Sequence, residues 1–287
     1  MRKKATLLIL LSLLTSCNSS SSTYKISTSF APLYDFTKNI VQDKMDVINI
    51  VGNNEVHGYS FNDPKKAAFT ETASLVVSYG HNIDTWINSI NPSKTFNCTS
   101  NVTFTKSNNV EDPHAYLSIP NACIMIENIY NEIIKIDKDN TEFYLTNKNN
   151  YINKLNELHN EYVSKFSSNL SNKIILTSHE AFSYLASSYN LTQVGIADIA
   201  NNQVTAAQIN RIVSLIKENN IKTIFVEKLD DSKNVELIKS ELASDSYNIN
   251  IKELNAFEGF DINNFSEDNY FNCMKSNLER IYEALKW

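Results

Sequence analysis

Apolar positions along the chain follow two periods, and the place where one gives way to the other outlines the fold. Short β-branched runs at 24–28, 45–51 and 74–79 are separated by stretches with apolar residues at helical intervals, from Ala31 through Val41 and again from Pro64. The second run ends at Gly52 and the third at Gly80. This alternation predicts parallel strands joined by crossover helices, an α/β layout. The middle of the chain reads differently. Helical spacing runs from about Asn121 to Ile136, breaks at 137–140, and resumes from Phe143 to Phe166 with Tyr151, Leu155, Leu158, Tyr162 and Phe166 on one face. No Gly or Pro interrupts the second run, and some twenty-five helical residues reach about 37 Å, enough to join two lobes rigidly. Strand–helix alternation then returns. Strands are expected at 173–176, 193–196, 223–226 and 249–251, with helices at 180–188, 206–218, from near Ser232, and at 268–285.

The predicted architecture is two α/β lobes, each a mostly parallel sheet flanked by helices, joined by one long helix. In chain order this places a leader at 1–16, a tether at 17–23, an N-terminal lobe at 24–140, the linking helix at 141–170 and a C-terminal lobe at 171–287. Five Gly and five Pro in the whole chain leave few flexible hinges, which favours small rocking between lobes over a wide swing.

The start of the chain changes the picture. Arg2, Lys3 and Lys4 precede an apolar run of about ten residues, half the roughly twenty that a membrane-spanning helix needs and suited to a signal-peptide core. The run ends at Leu14-Thr15-Ser16-Cys17, which resembles a bacterial lipobox, with Cys17 as the acylated residue and the Ser-rich stretch after it as a flexible tether. Losing those three cations with the leader moves the formal charge from −6 to −9. An acidic surface argues against a nucleic-acid partner. Beyond Cys17 there are Cys98, Cys123 and Cys273, an odd number that allows at most one intramolecular disulfide and no Cys-x-x-Cys pair. Buried small hydrophobes are the default for all three.

Five histidines remain as candidate chemistry: His57, His81, His114, His159 and His179. His57, His114 and His179 fall in loops where a strand has just ended, the place where α/β folds put ligand groups. Their spacings exclude a local finger-type motif, so a shared site would be assembled by the fold, two ligands from the first lobe and one from the second. His159 sits in a polar stretch and is expected on the surface. His81, beside Gly80, is expected to cap or to assist as an auxiliary ligand.

Four stretches, in order, then carry a resemblance. They are His57-Gly58-Tyr59-Ser60 with the later 79–86 segment, Asp112-Pro113-His114, Thr177-Ser178-His179-Glu180-Ala181-Phe182, and a closing set of Tyr270, Met274, Asn277 and Leu278. With the lipobox, they make the mature chain resemble the cluster A-I solute-binding proteins of ABC metal importers. The resemblance implies a lipid-anchored extracytoplasmic monomer that captures a divalent transition metal between its lobes and delivers it to an importer permease. It implies His57, His114 and His179 as ligands, and a carboxylate in the loop after the last strand. Counting back from the closing set places Glu258 there, with Glu253 and Asp261 as alternates. The chain departs from relatives in having Glu at that point, Gln203-Val204-Thr205 before a helix, and an Asn-, Ser- and Thr-rich 95–111 segment in place of a His-rich loop.

Three imidazoles and one carboxylate suit four-coordinate Zn²⁺, whereas carboxylate-rich sets suit Mn²⁺, so His179 tips the reading toward zinc with manganese as the alternative. An enzymatic role is not expected: there is no His-Glu-x-x-His helix and no Gly-x-Ser-x-Gly elbow, and four ligands leave no open position for water. A surface adhesin with a structural metal is the remaining rival.

Overall fold

The computed structural model describes residues 24–54, 56, 59–107, 109–168, 170, 172–197, 204–227 and 233–286. Cys17, the leader, and His57 therefore lie outside the described residues. In the first lobe, β1 (Lys25–Thr28) runs between β2 (Asp46–Asn49) and β3 (Leu75–Ser78), and β4 (Thr95–Asn97) adds to the outer side of β3, all parallel. Helices α1 (Ala31–Val41) and α2 (Pro64–Glu71) make the crossovers. The start of α2 is set by its sequence. Pro64 needs no amide partner at the first turn, and the Asp63 carboxylate accepts the amides of Lys65 (2.9 Å) and Lys66 (3.2 Å). A short antiparallel pair, β5 (Lys106–Ser107) and β6 (Val110–Glu111), leads to the turn that carries His114.

Two helices then pack side by side, α3 (Ile119–Ile136) and α4 (Thr141–Phe166). Along α4 the buried face is Tyr144, Lys148, Tyr151, Leu155, Leu158, Tyr162 and Phe166, a three- and four-residue recurrence maintained over the whole helix. At 1.5 Å per residue this helix is about 39 Å long.

The second lobe repeats the strand plan of the first. The strands β7 (Ile174–His179), β8 (Thr192–Ala197), β9 (Thr223–Glu227) and β10 (Asn250–Leu254) are parallel in the order β10-β9-β7-β8. Helices α5 (Ser183–Ser187), α6 (Ala206–Glu218) and α7 (Lys233–Ser244) connect them, and α8 (Tyr270–Leu285) closes the chain. In each lobe the first strand lies between the second and the third, with the fourth outside the third. One apolar core runs from the first lobe through α3, α4 and α8 to Ile175, Phe225 and Leu254 of the second sheet, and a second core fills the space between that sheet and α6 and α7.

The differences from the expected elements have local causes. β4 was not anticipated, because Thr95 and Asn97 flank a single apolar residue in a short edge strand whose partner, β3, supplies the pairing. β7 does not stop at Leu176. Thr177 and His179 continue it by pairing with Gly195 and Ala197 of β8, and the following helix starts at Ser183 rather than Glu180. Before α6, Thr205 forms a capping box with Gln208, which secures the helix start. His159 is half-buried rather than on the surface, with Nδ1 3.2 Å from the Tyr189 hydroxyl. Cys98, Cys123 and Cys273 are all free thiols.

Candidate metal centre

Parallel sheets place ligand groups beyond the carboxyl ends of their strands, where the strand order reverses. In the second lobe that point lies between β7 and β9, whose last residues are His179 and Glu227. The two side chains meet, His179 Nδ1 standing 2.8 Å from Glu227 Oε1 with both groups about one-sixth exposed (17% and 16%). A carboxylate only accepts, so Nδ1 carries the proton and the tautomer leaves Nε2 as the ring's lone-pair nitrogen.

His114 comes from the first lobe with the same arrangement. It opens a single 3₁₀ turn, His114–Leu117, right after Pro113. Asp112 Oδ1 accepts both the His114 amide (2.9 Å) and Nδ1–H (2.8 Å), which again presents Nε2. The other Asp112 oxygen accepts the hydroxyl of Ser183, at the start of α5 in the opposite lobe, and the Tyr184 hydroxyl donates to the Asp112 carbonyl at 3.0 Å. His114 is fully buried, and its ring stands edge-on to that of His179 with centroids 5.7 Å apart. The interface between the lobes thus holds two imidazoles, one from each side, each oriented by a carboxylate.

Glu258 approaches from the loop after β10. It is 8% exposed, its Oε1 lies 3.7 Å from His114 Nε2, and its Oε2 accepts the Val56 amide of the first lobe at 3.3 Å. Two donors on a tetrahedral ion with bonds of about 2.0–2.1 Å stand about 3.3 Å apart, close to the separation seen here. Of the alternates, Glu253 is exposed on β10 beside Arg280, and Asp261 is exposed and caps a 3₁₀ turn by accepting the Asn263 amide.

Several residues hold this loop. Asn277, buried in α8, accepts the Asn255 amide (3.0 Å) and donates to its carbonyl (2.8 Å). Phe257 adopts a left-handed backbone (φ +57) with its ring buried, an unfavourable state for an aromatic residue that its surroundings must enforce. At Gly259 a Cβ would come within 2.6 Å of the Asn54 carbonyl, so the loop touches the first-lobe backbone just before Val56 and His57. Tyr270, Met274, Asn277 and Leu278 form one buried face of α8. The Tyr270 hydroxyl donates to the Tyr116 carbonyl at 2.6 Å, joining that face to the turn of His114.

Electrostatics follow from this crowding. Burial of the His114 ring favours the neutral form, but the Asp112 hydrogen bond and the Glu258 carboxylate outweigh it and push the pKa up to about 9. The ring is thereby held in its charged form between the Asp112 and Glu258 carboxylates. His57 lies outside the described residues, and among those residues no three His, Cys, Asp or Glu side chains converge as a metal-holding group. His81 is engaged elsewhere, its ring stacked on Phe104 (3.4 Å) and Nδ1 2.7 Å from Glu111 Oε1, where it clasps the β5–β6 pair. Glu227 and the supporting part of Asp112 were not anticipated. Glu227 ends a strand as His179 does, so the strand-end rule applied to acids as well as histidines would have found it.

Comparison with known proteins places the chain. Residues 26–284 match the family model of the periplasmic component A of zinc-uptake complexes. The high-affinity zinc uptake system protein ZnuA of Bacillus subtilis is 30% identical over 91% of this chain and 87% of its own length. The manganese ABC transporter substrate-binding lipoprotein PsaA of Streptococcus mitis is 29% identical over 91% and 89%. Among solved structures, the laminin-binding protein Lmb of Streptococcus agalactiae, described as having adhesin and metal-transporting activity, has a TM-score of 0.81 at 27% identity and covers 92% of this chain and 99% of its own.

Proposed function

Since this chain belongs to the zinc-uptake component A family, we propose that it is the substrate-binding lipoprotein of an ABC metal importer, with Zn²⁺ as cargo. The observation that carries the reading is the meeting of His114 and His179 from opposite lobes, each with Nδ1 tied to a carboxylate, beside Glu258. His57, His114, His179 and Glu258 are the proposed ligands. Three imidazoles and one carboxylate satisfy zinc at four-coordination, and the carboxylates behind the rings raise their basicity and fix their tautomers. The ion is cargo rather than catalyst, and an importer permease is the proposed recipient.

Manganese is the second reading, favoured by the manganese-named relatives. Metal content by mass spectrometry and a competition titration of Zn²⁺ against Mn²⁺ decide between them. Zinc cargo predicts a clear zinc preference, and equal or stronger manganese binding contradicts it. We also propose Cys17 as the lipid-bearing residue that holds the protein at the outer face of the cell membrane. Fatty-acid labelling lost in Cys17→Ala supports this, and labelling retained in that variant refutes it.

A further inference from the structure

The two imidazoles that meet between the lobes are linked by one short segment of the second lobe. That segment starts at His179, whose carbonyl accepts the Thr177 hydroxyl (2.6 Å), the Gln193 side-chain amide (3.0 Å) and the Ala181 amide (3.1 Å). It then enters α5, where two consecutive side chains grip Asp112, the residue behind His114. The Ser183 hydroxyl donates to Asp112 Oδ2, and the Tyr184 hydroxyl donates to the Asp112 carbonyl at 3.0 Å. The Tyr184 oxygen also accepts the Thr105 amide at 2.7 Å, while the Asp112 amide donates to the Thr105 carbonyl at 3.0 Å. The base of the β5–β6 pair is thus closed and held from the opposite lobe. Asp112 and Tyr184 are buried, so these bonds are shielded from competing water.

Asp112 is therefore shared between the lobes. Its Oδ1 accepts the amide and Nδ1–H of His114, and its Oδ2 accepts from the second lobe. The carboxylate is planar, so a donor fixed on one oxygen sets the direction of the other, and with it the ring that the other orients. A hydrogen bond that only joined the lobes would not need to end on the carboxylate that supports a ligand. We infer that Ser183 is a positioning residue of this centre, acting from the second lobe through Asp112 to aim the His114 ring, with Tyr184 holding the backbone of the same residue. This rests on the metal-site reading above and extends it. The segment that carries one imidazole also aims the other, so the first lobe's ligand is set for an ion only while α5 is docked on it.

The test is zinc affinity by chelator competition for wild type, Ser183→Ala, Ser183→Thr, Asp112→Asn and the double variant of Ser183→Ala with Asp112→Asn. The metal-free melting temperature of each confirms that it is folded. Ser183→Ala should lower zinc affinity roughly tenfold, the size of one hydrogen bond to a charged group, and Ser183→Thr, which keeps the hydroxyl, should return it to within about threefold of wild type. With Asp112→Asn already in place, Ser183→Ala should lower affinity by less than about twofold more, because the carboxylate it acts through is gone. An affinity in Ser183→Ala equal to wild type overturns the inference. So does a Thr variant as weak as the Ala variant, or losses that add in full in the double variant. A wild-type chain that takes up no zinc ends the site reading itself, and the inference with it; a wild type that binds while Ser183→Ala matches it removes only the role of Ser183.

Discussion

At the scale of single residues, the centre is defined by what stands behind each imidazole. Asp112 and Glu227 each hold Nδ1 of an imidazole, His114 and His179, and so set its tautomer and orientation, the role a carboxylate plays behind a metal-bound ring. Asp112→Asn or Glu227→Gln is expected to weaken zinc binding about 10–100-fold with the ligands intact, as read by chelator competition. An unchanged affinity would count against these carboxylates as supports. The raised pKa of His114 has a further consequence. Below pH about 9 the ion must displace its proton, so calorimetry in buffers of different ionisation enthalpy should show proton release at pH 7.5, and affinity should keep rising toward pH 9. The sequence alone suggests a limit near pH 6.5, the ordinary histidine value. The charged pair acts oppositely on the metal-free fold, stabilising it fully below about 6.5 and losing that support as pH rises through 9. His114 and His179 were legible because each sits at a strand or loop end near a recognisable motif. Glu227 was not, since a single acid after an apolar strand carries no motif of its own.

At the scale of elements, the long periodic segments were read closely and the short polar ones were not. The helical run ending at Phe166 and the first helix at Ala31–Val41 follow from unbroken apolar spacing. β4 and the end of β7 depend on a neighbouring strand for their pairing, and so their polar residues carried no local signal. The loop of Glu258 is an element in its own right, held by Asn277 on one side and pressed on the first lobe at Gly259 on the other. Gly259→Ala puts a methyl against the Asn54 carbonyl, so the loop must shift and carry Glu258 with it. The zinc-induced rise in melting temperature should then shrink while the metal-free value changes little; an undiminished rise would show that the close approach is dispensable.

At the scale of the whole molecule, the lobes are joined by more than α4. Asp35, fully buried in α1, accepts the hydroxyl of Tyr151 from α4, the side chain of Asn39 (3.0 Å) and the amide of Tyr270 at the start of α8 (2.9 Å). This one carboxylate ties the first lobe, the helix α4 and the closing helix together. Burial raises its pKa to about 6 against the partial counter-effect of those hydrogen bonds. Since the unfolded value is about 3.9, the folded state binds more protons between these limits, and the associated stability, about 3 kcal/mol, is lost as pH rises from about 4 to 6. Urea unfolding of wild type and Asp35→Asn across that range should show their stability difference moving toward the variant as pH rises. A pH-independent difference would contradict the assignment. The two-lobed plan was visible in the sequence, but this staple was not, because its partners are 116 and 235 residues away.

The centre between the lobes is proposed to capture an ion reversibly. Its most direct test is an equilibrium zinc titration of the purified domain beyond the tether, against a chelator of known affinity, for wild type and His114→Ala. The account predicts one zinc per chain, fully recovered by the chelator, with affinity lowered by at least a hundredfold in the variant. A wild-type chain that takes up no zinc, or a variant that binds as tightly as wild type, would contradict it.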